Sequence, residues 1–313
     1  MKRFLYLPKA CLSFLLVAVI TTSSPLSAAL EKPWPVVLRI AMQRVANVEW
    51  RLLKAAGDTC PTTAAAYGIV FDSLDAYAES DRAMVARILN ASDLPQVAAV
   101  AKGSTADLAG IMAGDDLVAI NGVAVDVALQ GRSPAGDTLA LRVGSALASL
   151  PASKPIRMTI RREKALIDIS LTPTPLCGSR IYVTTENWLN AYTDGANIAI
   201  PARMVNFTLS DDELAILAGH EIGHIIARDD KISGASKKRR VEDRADIVGA
   251  DLAACAGFDT KSAAPFWRRL ERNRSWHFLV GKTQSSGNAR TQNVLDRPFP
   301  AQCPISEVPP LRK

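Results

Sequence analysis

Histidine is scarce in this chain, with three in 313 residues, and aromatic side chains make up only 6%. Neither sign of charge dominates: 37 Lys and Arg face 31 Asp and Glu, a formal charge of +6. Lys2, Arg3 and Lys9 fall in an N-terminal leader, and without them the balance is +3. A nucleic-acid surface, which wants concentrated basic charge with interleaved aromatics, is therefore not expected. After the leader no apolar run approaches the roughly 20 residues of a membrane span. Repeats with a period of 20 to 50 residues and low-complexity blocks are missing too, which excludes solenoids and tails. With 48% hydrophobic and 22% charged residues, the chain is neither disordered nor fibrous. Its length suits about two domains.

The leader has a basic start (Met1 to Lys9), an apolar stretch (Ala10 to Ile20) and a small-residue exit, Leu26-Ser27-Ala28-Ala29. This is the pattern of a secretory signal peptide over residues 1–28, with an uncleaved anchor as the minor alternative. Cys11 precedes the apolar run, the wrong end for a lipoprotein cleavage site. Export to the periplasm is expected, with secretion as the alternative. The remaining cysteines, Cys60, Cys177, Cys255 and Cys303, are even in number, as suits an oxidising compartment. We expect Cys60 to pair with Cys177 and Cys255 with Cys303, because the first two bracket a distinct module. Buried free thiols are the alternative.

Residues 29–60 read as an N-terminal helix, since Leu38, Met42, Val45, Val48 and Leu52 recur at helical spacing from Val37 to Ala56. Residues 61–175 have a β-rich texture, with alternating strands at Ile156 to Ile160 and Leu166 to Leu171. Residues 176–313 turn helical. The basic run Lys237 to Arg240 lies in a polar stretch and reads as a solvated loop.

Two of the three histidines fall in His220-Glu221-Ile222-Gly223-His224. On a helix, positions i and i+4 share a face, so both imidazoles can meet one zinc ion while Glu221 stands beside them as general base. Ser210 and Glu213 form a capping-box pattern, and Leu214, Leu217, Ile222 and Ile225 supply an apolar face. By composition, this pattern arises by chance in only about one such chain per thousand. A catalytic zinc takes a third protein ligand and leaves a position for water. Glu242 is available on a second helix, Val241 to Ala256, with Asp246 one turn on to receive a ring N–H, and with small residues such as Gly249 for close packing. His277 is the rival third ligand.

These residues resemble the HtpX-like zinc metallopeptidases (metallopeptidase family forty-eight), relatives of the CAAX prenyl endopeptidases and BepA-like proteases. The resemblance covers roughly residues 190–290. It rests on Asn190-Ala191-Tyr192, Glu213-Leu214-Ala215, His220 to His224, and Glu242-Asp243-Arg244-Ala245-Asp246. It implies Glu242 as third ligand, Asp246 behind the ligands, and Arg290 as a residue that orients the site or stabilises developing charge. It also implies an edge strand over Gly195 to Ile200, with Asn197, Ile198 and Ala199 pairing an extended substrate. Where the family has Thr-His-Pro-Ser, this chain has Thr283-Gln284-Ser285-Ser286, which puts the level of activity in question and leaves metal binding intact.

A second likeness lies in Gly103 to Gly122, which looks like the PDZ signature of HtrA-type proteases, with Tyr67-Gly68-Ile69 as the loop that receives a peptide C-terminus. The expected fold class is α+β: a helical zincin-type domain with a small sheet, plus a β-rich PDZ-like domain. The expected function is an exported metalloendopeptidase with one Zn2+ per chain, acting on polypeptides recruited by exposed C-termini in envelope quality control. A peptide-binding adaptor or chaperone with a structural zinc is the alternative. Neither nucleic acid nor a membrane span is expected.

Overall fold

Helix α1 (Trp34–Ala56) begins at Trp34, ahead of the Val37 that apolar spacing indicates, with Pro35 in its first turn, where a missing N–H breaks no helical bond. The computed structural model describes residues 32–129, 136–229, 235–273, 285–300 and 302–311. The leader with Cys11, the side chain of Lys237, His277 and the Gln284 position lie outside them. Within the described residues, Pro33–Lys313 belongs to one compact unit of mixed helix and sheet.

The first sheet contains β2 (Ile69–Asp72), β3 (Gln96–Val100), β4 (Asp116–Ile120), β6 (Ile156–Arg162) and β7 (Ala165–Leu171), in that spatial order, with β5 (Val123–Ala124) beside β4. Its strands pair antiparallel. The β6–β7 hairpin runs in unbroken register from Ile156 opposite Leu171 to Arg162 opposite Ala165. Alternate residues Ile156, Met158 and Ile160 are buried, as the period-two pattern requires. A separate ribbon of β1 (Thr63–Ala66) and β8 (Thr174–Cys177) closes the module, and the Cys60–Cys177 disulfide locks its base. Cys255 is bonded to Cys303.

This region is less purely β than its texture implies. Helices α2 (Glu79–Leu89) and α5 (Leu139–Ala148) join the short α3 (Thr105–Leu108) and α4 (Val125–Ala128). Helix α5 is capped by Thr138, whose hydroxyl accepts from the N–H of Leu141, and it lies over β2.

The second sheet has three strands in the order β10 (Tyr192–Thr193), β11 (Ile198–Pro201) and β9 (Ile181–Thr184), with β11 antiparallel to β10 and parallel to β9. It is followed by α6 (Ala202–Phe207), α7 (Asp211–Ala227), α8 (Ala235–Cys255), α9 (Thr260–Ala263), α10 (Phe266–Asn273) and a last helix, Gly287–Leu295. The basic run is a correction to the sequence reading. Helix α8 starts at Ala235, so residues 237–240 form its first turns instead of a loop, and Lys238, Arg239 and Arg240 are exposed there. Lys and Arg are good helix formers, and solvation suits them equally well on an exposed turn.

Helix α1 ties the two halves together from two stripes. Arg39, Gln43 and Asn47, spaced four apart, reach the first sheet: Arg39 Nε donates to Asp72 Oδ2 at 3.0 Å, Gln43 Nε2 to the Val100 carbonyl at 2.7 Å, and Asn47 Oδ1 accepts from Lys102 N at 2.9 Å. From another face, Arg44 Nε donates to Asp211 Oδ1 at 2.8 Å and Arg51 Nη2 to the Ala256 carbonyl at 2.7 Å. Its apolar residues, including Val45, Val48 and Leu52, share one core with α7, α8, β9 and β11.

Candidate metal centre

Helix α7 carries the two central histidines, and its start is fixed locally. Ser210 Oγ accepts from Glu213 N at 3.3 Å, while Glu213 Oε2 accepts from Leu209 N at 2.7 Å, a reciprocal cap displaced by one residue from the usual box. Glu213 is held in turn by Arg269 of α10. Downstream the helix is buried almost all round, with Leu214, Leu217, Ile222 and Ile225 in the core.

Helix α8 crosses α7 at a point where neither has a side chain. A Cβ on Gly219 would sit 2.7 Å from the Gly249 carbonyl oxygen, and one on Gly249 would sit 2.5 Å from His220 N. The two backbones therefore touch, and the first half of α8 is brought over the histidines. His220, His224 and Glu242 converge there, their ligand atoms all within 4.8 Å of one another.

Between the two Nε2 atoms the distance is 3.1 Å, from His220 Nε2 to Glu242 Oε2 it is 3.4 Å, and from His224 Nε2 to Glu242 Oε1 it is 3.8 Å. A tetrahedral ion with bonds of about 2.0–2.2 Å separates its ligand atoms by about 3.3–3.6 Å, and the three separations bracket that range, so the donor set and its spacing suit a divalent metal such as zinc after small side-chain shifts. Glu221 lines the same pocket and is buried.

Each imidazole is oriented by a carboxylate on its far nitrogen. His220 Nδ1 lies 2.8 Å from Asp246 Oδ1 and His224 Nδ1 lies 2.9 Å from Asp229 Oδ2. In the neutral form that a metal requires, the proton sits on Nδ1 as donor and the Nε2 lone pair of each ring faces the shared centre. Before a metal binds, His220 is protonated on both nitrogens and its Nε2 donates to Glu242. Burial, the largest influence on His220, disfavours its charged form, yet hydrogen bonds to Asp246 and Glu242 outweigh it and push the group up to about 9. Burial also works to raise Asp246, but Arg290 and His220 hold its carboxyl down at about 2, so it remains an acceptor. For Glu242 burial again raises the pKa, and the hydrogen bond from His220 reverses the direction to a net lowering.

Arg290, on the last helix, is buried at 4% exposure and gives Asp246 a bidentate clamp, Nε to Oδ2 at 2.8 Å and Nη2 to Oδ1 at 2.5 Å. Its guanidinium carbon lies 3.5 Å above the centre of the Trp267 ring. It also borders the metal pocket, with Nε and Nη2 engaged in orienting Asp246. Asp229, Arg244 and Trp267 were not singled out in the sequence. Arg244 of α8 pairs with Asp229, and Trp267 forms part of the pocket wall. Asp229 carried a faint signal, five residues beyond His224 at a helix end.

The expected substrate strand needs correction. Strand β11 lies between β10 and β9 and is not an edge. Asn197 is in the turn before it, its N–H donating to Asp194 Oδ1 at 2.7 Å, and Ile198 is buried in the core. What borders the metal pocket is Asn190 to Thr193 leading into and forming β10, a strand too short for its pairing to be read from sequence. Tyr67, Gly68 and Ile69 lie far along the chain from this centre and line a different cavity, between β2 and α5.

A profile of Peptidase family M48 matches residues 157–238, which takes in both histidines and Glu221 and stops short of Glu242. Among solved structures, the HtrA-type protease AlgW with decapeptide is similar at 15% identity and a TM-score of 0.27, over 36% of this chain and 30% of that one. This chain therefore spans less than a third of that structure. No curated protein matches the sequence.

Proposed function

We propose that the protein is a zinc-dependent metalloendopeptidase of the HtpX and BepA kind, exported and active on polypeptides. The observation that carries this reading is the convergence of His220, His224 and Glu242 in a pocket that also holds Glu221. When bound by those three residues, zinc would supply Lewis-acid polarisation of a peptide carbonyl and of water. The chain's own part is proton transfer and positioning. Glu221 accepts a proton from the attacking water and returns it to the departing amine as the C–N bond breaks. Asp246 and Asp229 keep each imidazole in the tautomer that presents Nε2, and Arg290 keeps Asp246 in place.

An extended substrate has one free sheet edge beside this pocket among the described residues, that of β10, where main-chain hydrogen bonds hold a peptide irrespective of sequence. The first sheet with α5 is read as a PDZ-like recruiter of polypeptide C-termini. Two disulfides favour an oxidising compartment, in keeping with the leader. No helix among the described residues is long and apolar enough to cross a membrane. A peptide-binding adaptor with a structural zinc is the second reading, favoured by the cavity beside Tyr67 to Ile69.

The test is cleavage of unfolded casein by the purified mature chain with bound zinc quantified. Proteolysis lost in Glu221→Gln with zinc retained, and zinc weakened in Glu242→Ala, supports the peptidase. Zinc near one per chain with no cleavage in the wild type supports the adaptor.

A further inference from the structure

The cavity between β2 and α5 is only half built by the first sheet module. Its volume is about 130 Å3, and its walls combine Tyr67, Gly68 and Leu147 with Glu49 and Trp50 of α1 and with Arg180, which follows β8. Arg180 reaches back across α5. Its Nη2 donates to Ser145 Oγ at 3.0 Å, and the neighbouring residue is a glycine, where a Cβ would lie 2.5 Å from Nη1.

The backbone of the same residue belongs to the other sheet. Ile198 N of β11 donates to the Arg180 carbonyl at 2.9 Å, and the next amide, Ile181 N, donates to Glu49 Oε1 at 2.6 Å. Ile198 stands opposite Thr193 of β10, and Thr193 lines the metal pocket. One residue thus has its guanidinium in the wall of the cavity and its carbonyl in the sheet that borders the metal centre.

We propose that Arg180 couples the two sites: a polypeptide C-terminus entering the cavity draws the guanidinium from Ser145 onto its carboxylate, and the shift passes through β11 to β10. The chemistry favours this exchange, because a carboxylate offers the guanidinium an opposite charge and two parallel N–H···O bonds, whereas the Ser145 hydroxyl accepts a single one. An apolar last side chain suits Trp50 and Leu147. The inference rests on the reading that this cavity takes peptide ends and that the metal pocket cuts. It adds a regulatory route between them.

The test uses the full mature chain loaded with zinc. Hydrogen exchange is followed over residues 190–201 beside casein cleavage, with melting temperature and zinc content as controls. Gly144→Ala displaces a flexible guanidinium and Ser145→Ala removes its acceptor, whereas Ser145→Thr retains the hydroxyl. The probe is a decapeptide pool ending in Leu-Val with a free carboxylate, compared with the same pool as C-terminal amides.

For coupling of ordinary strength, Gly144→Ala, Ser145→Ala and the free-acid pool each change exchange in residues 192–200 by about fivefold or more. Ser145→Thr and the amide pool leave it at the wild-type value, and melting is unmoved. Unchanged exchange in both alanine variants overturns the route through Arg180. A response to the variants without a response to the free-acid pool overturns the ligand class. Because exchange needs no proteolysis, a chain that responds in this way yet cleaves nothing removes the peptidase reading and keeps the coupling.

Discussion

The Nδ1 of His224 lies 2.9 Å from Oδ2 of Asp229, and the other oxygen of that carboxylate holds Arg244 from the facing helix. The contact depends on a reversal of the chain. Arg228 caps α7 in the left-handed conformation, with φ 54°, and turns the buried Asp229 back under the histidine. Asp229→Ala removes the acceptor that fixes the tautomer and leaves Arg244 without that partner. We expect zinc affinity to fall about 10- to 100-fold with α7 still helical. Competition with a zinc chelator of known affinity, alongside circular dichroism, checks this.

Asp246 holds both His220 and the buried Arg290, so its loss has two separable consequences. Asp246→Ala leaves a guanidinium without its carboxylate in a site at 4% exposure, which costs about 3–5 kcal/mol. Adding Arg290→Met removes the stranded charge and retains a side chain that packs on Trp267. Stability measured by denaturant unfolding is expected to recover in the double variant, while zinc affinity stays low because His220 still lacks its acceptor. Recovery of both together would mean that the carboxylate serves only to neutralise Arg290.

Much of this centre was legible because it obeys helical periodicity. His220 with His224, and Glu242 with Asp246, are spaced four apart, and that spacing alone places each pair on one face. Asp229 was only faintly legible, since its position depends on the left-handed Arg228 and not on a repeat. The family likeness makes β11 an edge, and its partner β10, two residues long, leaves no pattern of its own to contradict that. The alternation in β6 and β7 was visible, whereas α5 is absent from the expected elements, although Thr138 caps it and its buried Val143 and Leu147 are four apart. The pairing of Cys60 with Cys177 followed from the module they bracket. No local feature shows that Glu49 and Arg180, 131 positions apart in sequence, share a cavity wall.

Glu49 gives the fold a pH dependence of defined sign. Burial, partly offset by the N–H of Ile181 and by Arg180, raises its carboxyl to about 7, against about 4.3 in an unfolded chain. The folded state therefore binds this proton more tightly than the unfolded state does. Its stabilising contribution is complete below about pH 4.3 and is lost as pH rises through about 7. Glu49→Gln keeps an acceptor for Ile181 and does not titrate. Thermal unfolding of both proteins between pH 4.5 and 8 should show the variant gaining on the wild type as pH rises, by an amount on the order of 1–3 kcal/mol. A constant difference across that range would mean that Glu49 ionises normally.

The distance between α7 and α8 is set by Gly219 and Gly249, and the metal centre depends on that distance. At Gly249 an added Cβ would meet His220 N at 2.5 Å and the carbonyl carbon of Gly219 at 2.7 Å, both backbone atoms that no side-chain rotation can move aside. Gly249→Ala must therefore push the helices apart, and overpacking of this kind costs about 1–3 kcal/mol or more. Glu242 lies two turns before Gly249 and Asp246 one turn before it, so both withdraw from His220. At Gly223 the clash is milder, with the nearest backbone atom, the Ala245 carbonyl oxygen, at 3.1 Å. Both glycines lie within helices, and replacing either with alanine improves intrinsic helix propensity by about 1 kcal/mol. If propensity governed, both variants would be more stable. If the helix contact governs, Gly249→Ala loses stability and zinc affinity together, and Gly223→Ala loses less of each. Melting temperature with and without saturating zinc separates the two cases, because separated helices also shrink the stabilisation that zinc confers.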